Sequence, residues 1–244
     1  MAMHKNTSNL ESELFELIQG LWTMTSSHPF YKLLPQNSES FRNTYSLMKE
    51  FVASHITSLE GFIDPEAIVR GNIISMGKGS VIEAGAIIHE SCRLFLGDGS
   101  RIRSGAVLRD EVLIGSDCLI GVNCEVVRSI ILGPNTALSH LVFIADSIVG
   151  RDVNVAGNVI IANTTTRHGT SINLRFRGKR VDSGRSHLGV LVGDGVRFGA
   201  STTVCPGCIV LPNLTLPPQV VLLGTIDHKK REKLMSTFFS LWGD

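Results

Sequence analysis

The sequence predicts a mainly β chain. It reads as a parallel β-helix of hexapeptide repeats, preceded by a helical N-terminal segment and followed by a C-terminal helix. Three observations carry this reading. From Ile63 onward an aliphatic residue recurs every six positions, with a small or compact residue four positions after it. Gly often follows the aliphatic directly, as at Gly77, Gly97, Gly115, Gly121, Gly150 and Gly193. The chain holds 24 Gly but only 6% aromatic residues, within a hydrophobic content of 43%. Aliphatic filling and frequent tight turns explain that balance.

The elements follow in order. Residues 1–60 read as helical. Ser8 and Glu11 form a capping-box pattern. Leu10, Leu14, Leu17 and Ile18 then repeat at helical spacing, and Phe41, Tyr45, Met48 and Val52 mark a second amphipathic stretch beyond Pro29 and Pro35. Residues 61–226 carry the hexads. Ile82/Ala86, Ile102/Ala106, Ile120/Cys124, Leu132/Thr136, Leu138/Val142, Val155/Val159 and Val204/Cys208 are examples. Three short strands make one triangular coil of about 18 residues, and stacked coils share a core. Residues 162–189 interrupt the period. Asp227 is placed to cap a helix over 227–244, with Leu234, Phe238 and Leu241 along one face.

Charge narrows the function classes. With 23 Lys+Arg against 22 Asp+Glu the net is +1, unlike a dedicated nucleic-acid binder. The insert holds Arg167, Arg175, Arg177, Lys179, Arg180 and Arg185 against Asp182, a net of +5. The remainder has 17 basic and 21 acidic residues, a net of −4. A basic insert of this kind suits anionic small substrates. A nucleic-acid contact is the weaker reading, because Phe176 is its one aromatic. No apolar run approaches the roughly 20 residues of a membrane span, and no secretory signal opens the chain. No membrane association is expected. An odd count of five Cys suggests a reducing, cytoplasmic setting.

The pair Cys205 and Cys208 has redox or zinc spacing. The hexad register instead puts Cys92, Cys118, Cys124 and Cys208 in the inward small-residue slot, and no second pair completes a zinc site. Structural thiols and no metal are expected. His140 stands two positions after Leu138, where hexads face outward at a turn. Periodicity leaves open whether it is a solvated residue or a catalyst.

The run from His140 to Gly150, HLVFIADSIVG, continues to Asn154, Gly157 and Ala162-Asn163. Further on stand GKRVDSGR from Gly178, LGVLVGD from Leu188, and Val204-Cys205-Pro206-Gly207. Over residues 65–225 this resembles the acetyltransferase domain of the bifunctional glucosamine-1-phosphate N-acetyltransferase / N-acetylglucosamine-1-phosphate uridylyltransferase family. The branch it resembles is the archaeal type. The nucleotidyl-transfer domain has no counterpart, so that activity is not expected.

The resemblance implies a left-handed β-helix, a homotrimer with active sites between subunits, acetyl-CoA as donor and an amino-sugar phosphate as acceptor. His140 matches the family's general base. Asn154 and Asn163 match its asparagines at the sugar and acetyl group; the competing reading is that they turn corners, which Asn tolerates. Ala156, Gly157, Gly199 and Ala200 match backbone positions along coenzyme A. Arg180 and Arg185 offer cations to the phosphates. Phe143 stands where the family has Tyr, so one hydroxyl is missing. Near Glu125, Val127 replaces a family lysine, with Arg128 adjacent. Arg109 best matches the family's arginine one coil earlier.

Two functions of different class follow. One is a CoA-dependent N-acetyltransferase acting on an amino-sugar phosphate such as glucosamine 1-phosphate. The other is a catalytically degenerate hexapeptide-repeat protein that binds a sugar nucleotide, or a partner protein through its N-terminal helices.

Overall fold

A computed structural model of the protein describes residues 59–167, 169–176 and 179–242. The expected helical segment lies outside the described residues, except for Leu59 and Glu60. These last two are not helical; Leu59 forms a β-bridge with Met76.

The hexads fold as expected into a parallel β-solenoid with three faces. The first face stacks Phe62–Ile63, Val81–Ile82, Arg101–Ile102, Leu119–Ile120, Ala137–Leu138, Asn154–Val155 and Arg197–Phe198, in that order. The second and third faces join into one 14-stranded sheet, because Val107–Ile114 and Glu125–Ile131 run through the corner between them. Register sets one residue of each hexad inside. Ile102 pairs with Ile120, Leu108 with Val126 and Ile144 with Ile161. All six are fully buried in one core with Met76, Leu96, Val192 and Phe198.

The residues four positions later are buried as well, and several are polar. Ser80, Ser100, Thr136 and Thr202 have no exposed surface. Each donates its hydroxyl to a backbone carbonyl; the Ser100 bond to Gly115 is 2.6 Å and the Thr136 bond to Gly150 is 2.8 Å. A buried hydroxyl with a partner avoids the cost of an unpaired one. Cys92, Cys118, Cys124 and Cys208 occupy the same slot, and all five cysteines are free thiols. Burial pushes the Cys92, Cys118 and Cys208 thiols up to about 12.

One hexad is displaced. Leu132 was expected inside, but Ile131 takes that place and pairs with Ile114 and Val149. The preceding coil uses both Asp110 and Glu111 to round its corner, whereas this coil uses Arg128 alone. Val127 therefore pairs with Arg109, while Ser129 pairs with Val112. Losing one residue at a corner shifts the strand after it to the opposite phase.

The insert leaves after the second-face strand Ile160–Ile161 and returns at the third-face strand Val190–Val192. Its strands Asn173–Phe176 and Lys179–Asp182 form an antiparallel hairpin. Ile172, Leu174, Val181 and Leu188 are buried, so the hairpin folds back on the solenoid. The Thr225 hydroxyl donates to the Arg175 carbonyl. The last element is the helix His228–Trp242. Asp227 caps it: its carboxylate accepts the Lys230 amide at 2.8 Å, and its carbonyl accepts the Arg231 amide.

Candidate active site along a corner of the solenoid

The corner between the first and second faces repeats one backbone form in successive coils. Leu141, Asn158, Ser201 and Gln219 all adopt left-handed φ of 56–59°. Each amide donates to the coil before: Leu141 to Val122, Asn158 to His140, Ser201 to Gly157 and Gln219 to Ala200. His140, Gly157 and Ala200 therefore occupy equivalent positions, stacked along the axis about 4.8 Å apart. The preceding positions align Ser139, Ala156 and Gly199 beside them, because Leu138 pairs with Val155 and Val155 with Phe198. Five of the residues expected at the catalyst or cofactor thus share one track.

The track is open. His140 is exposed, and its imidazole has no hydrogen-bond partner among the described residues. The two positions beyond it carry no side chain larger than methyl. A Cβ on Gly157 would lie 3.6 Å from the His140 carbonyl, an ordinary contact, so packing does not demand glycine there. Gly199 differs: its Cβ would meet the Pro218 nitrogen at 2.2 Å. Asn154 lies on the adjoining strand of the first face, between Ala137 and Arg197, and does not turn a corner.

The track runs into a groove of about 380 Å³ between the last coil and the terminal helix. Pro218, Gln219, Leu234 and Phe238 line it, with Lys230 and Lys233 on its wall. Sequence reading passed over these lysines. Capping by Asp227 already placed them within the first two turns of the helix, but their approach to the last coil is tertiary.

A second cluster stands at the opposite edge of the second face. Asp110, Arg128 and Asp146 stack at its corner, each with positive φ. Asp146 is fully buried and accepts two bonds from Arg128, at 2.9 and 3.1 Å. Arg128 also pairs with Asp110, and the Asn163 amide donates to Asp146. The Asp146 hydrogen bonds, opposed by partial burial, hold the Arg128 guanidinium above its ordinary pKa. Arg128 and Asn163 are thus both turned toward a carboxylate that sequence reading did not single out. Asn163 sits in the neck of the insert, where its carbonyl accepts the Leu188 amide at 2.8 Å.

Between the clusters lies the outer surface of the second face. Phe143 stands beside Glu125 in register, and Glu125 is held by Arg109 in an ion pair. His140 and Asp146 are six residues apart, up to roughly 20 Å at strand rise. The insert follows the second cluster. Arg180 is exposed opposite Arg175 on the hairpin, and the Arg185 guanidinium reaches the His187 carbonyl at 3.2 Å. Within one chain, Arg180 and Arg185 are not brought to the Gly199 and Ala200 track.

Comparison with known proteins gives the lineage. Residues 93–226 match the family model described as the GMPPB C-terminal domain. The chain belongs to this family. The match spans the His140 track, the Asp146 cluster and the insert. Among curated relatives, it is 33% identical over 100 residues to the bifunctional sugar-1-phosphate nucleotidylyltransferase/acetyltransferase of Sulfurisphaera tokodaii, covering 41% of this chain and 24% of the relative. It is 29% identical over 187 residues to the bifunctional protein GlmU of Methanocaldococcus jannaschii, covering 73% and 43%. The chain spans less than half the length of each. Among solved structures it is similar to the N-acyltransferase AntD from Bacillus cereus, in complex with dTDP and 3-hydroxybutyryl-CoA. That match has 14% identity and a TM-score of 0.38, covering 71% of this chain and 93% of the other. The sequence-level resemblance to a sugar-phosphate acetyltransferase domain agrees with these relatives. Among the described residues of this family member, no helix is long and apolar enough to cross a membrane.

Proposed function

We propose that this chain is a CoA-dependent N-acetyltransferase that acts on an amino-sugar phosphate such as glucosamine 1-phosphate. The observation that carries this reading is the aligned, open track of His140, Gly157 and Ala200 at one corner of the solenoid. The proposal includes a left-handed solenoid assembled as a homotrimer and a cytoplasmic setting.

The chemistry follows from the track. The amino group of an amino sugar is largely protonated near neutral pH, so attack on a thioester needs a base. The ammonium first gives one proton to solvent, and His140 then takes a second proton from the neutral amine nitrogen as that nitrogen bonds to the thioester carbonyl carbon. Imidazole can both accept and return a proton, which suits this task. The carbonyl oxygen becomes an oxyanion, for which this reading assigns the backbone amide at Gly157 as hydrogen-bond donor. The C–S bond then breaks, and His140 returns the proton to the departing thiolate. Coenzyme A extends along Ala156, Gly157, Gly199 and Ala200 toward the groove, where Lys230 and Lys233 face its phosphates.

The acceptor binds against Asn154 and the outer second face, where Phe143, Glu125 and Arg109 stand. Arg128 and Asn163 lie across that face from His140 in the same chain. Assembly of a homotrimer lets the second cluster and the insert of one subunit approach the His140 track of another. Arg180 and Arg185 then serve the phosphates from the neighbouring chain. No metal is required for this transfer.

A second reading is a degenerate protein that binds a sugar nucleotide or a partner protein without turnover. It is favoured by Phe143 in place of a hydroxyl donor and by the engagement of Arg128 and Asn163 with Asp146. A free-thiol assay with acetyl-CoA and glucosamine 1-phosphate separates the two. The enzyme reading predicts thiol release that depends on the amino sugar. No release, together with no acetyl-CoA binding by calorimetry at millimolar concentration, supports the degenerate reading.

A further inference from the structure

Among the described residues, Asp146 is the only charged side chain that is fully buried. A buried carboxylate is costly unless it is paired and hydrogen-bonded. Asp146 accepts Arg128 Nε and Nη2 at 2.9 and 3.1 Å, and also the Asn163 amide. Its main chain is engaged as well. The Asp146 carbonyl accepts the Gly189 amide at 2.8 Å, and the Ser147 hydroxyl accepts the Val190 amide at 3.0 Å. A Cβ on Gly189 would meet the Ser147 Oγ at 2.1 Å, so the returning chain passes close to this corner. The insert leaves at Asn163 and returns at Gly189. Asp146 therefore holds both ends of it.

A buried ion pair contributes little net stability over apolar packing. What it supplies here is orientation. Arg128 and Asn163 are only half-buried, so both reach the surface above the carboxylate. An Asn side chain has two N–H groups and an oxygen in one plane. With one N–H of Asn163 on Asp146, that plane is set. The other N–H and the oxygen make no hydrogen bond among the described residues. They form a fixed donor and acceptor, a pattern that a sugar hydroxyl matches. Asp110 and Asp146 together outweigh the charge of Arg128, so this cluster does not suit a phosphate.

We propose that Asp146 is a positioning residue of the acceptor site: its carboxylate orients Asn163 toward a hydroxyl of the amino sugar. Asp146 has no exposed surface, so it acts through Asn163 and touches no substrate itself. The inference rests on the amino-sugar N-acetyltransferase reading and adds to it a residue outside the His140 track. It also gives the engagement of Asn163 by Asp146 a role in binding rather than a loss of function.

The test is steady-state kinetics of the full-length chain with acetyl-CoA and glucosamine 1-phosphate. The variants are Asp146→Asn, Asn163→Ala and the two combined. Asp146→Asn keeps the side-chain shape and leaves Arg128 its Asp110 partner, but removes the charge that holds Asn163. The KM for glucosamine 1-phosphate is expected to rise about tenfold, while kcat and the KM for acetyl-CoA stay within about twofold. Asn163→Ala raises the same KM to a similar degree, and the double variant goes no further. Additive effects, an unchanged acceptor KM, or a fall in kcat alone assign Asp146 to structure and overturn the proposal. These outcomes leave the enzyme reading intact. A wild-type chain that releases no thiol with glucosamine 1-phosphate overturns that reading, and this inference with it. If Asp146→Asn does not fold, NMR reads the Asn163 side-chain amide of the wild type, assigned through its loss in Asn163→Ala. One amide proton is expected downfield and slow to exchange with solvent. Rapid exchange of both protons overturns the proposal.

Discussion

Gly157 and Gly199 lie one coil apart on the same corner, yet their surroundings separate them. Pro217 and Pro218 press on Gly199, leaving no room for a Cβ, whereas Gly157 has room for one. Gly199→Ala is therefore expected to destabilise the fold by about 1–3 kcal/mol, in denaturant titration. Gly157→Ala is expected to stay within about 0.5 kcal/mol of wild type. Under the proposed mechanism its acetyl transfer falls roughly tenfold, because a methyl crowds the thioester. A Gly157→Ala variant that unfolds like Gly199→Ala would assign both glycines to packing. Other residue-scale features were only half legible in the sequence. Asn154 and Asn163 have the composition of corner residues, but the left-handed corners belong to Asn123, Asn135, Asn158 and Asn213. The engagement of Arg128 and Asn163 by Asp146 was invisible, because stacking joins residues 18 and 17 positions distant from it.

At the scale of the repeat, the i+4 slot holds thiols where other coils hold Ser, Thr or Ala. Burial keeps the Cys92, Cys118 and Cys208 thiols protonated up to about 12, against about 9 when exposed. Above pH 9 the unfolded chain loses these protons and the folded chain keeps them. Folding stability is therefore expected to decline between about pH 9 and 12, beyond the decline from other groups. Replacing Cys92, Cys118 and Cys208 with Ala is expected to flatten that decline in a series of thermal melts. An identical pH profile in the triple variant would contradict the burial argument. The slot itself was legible from period six. Its failure at Leu132 was not, because the missing corner residue leaves the aliphatic pattern locally intact. The insert's charge was legible, but its path was not, since Ile172 and Leu174 find their partners on coils that come later in the chain.

At the scale of the molecule, the solenoid turns a one-dimensional period into columns. Residues that are 17 or 43 positions apart, such as His140, Gly157 and Ala200, become neighbours along one corner. The sequence marked these residues through their family resemblance, and the fold supplies their alignment. The same geometry keeps Arg128 and Asn163 on another corner, which is why the proposed site draws on two subunits. The near-neutral net charge resolves in the same way, into a basic insert and a mildly acidic remainder. The central claim is that His140 is the base on the track. Its most direct test is acetyl-CoA turnover with glucosamine 1-phosphate by His140→Ala, measured beside its oligomeric state. The account predicts a loss of about 100-fold or more in turnover with the assembly and melting temperature of wild type. Turnover near wild type in that variant would contradict it.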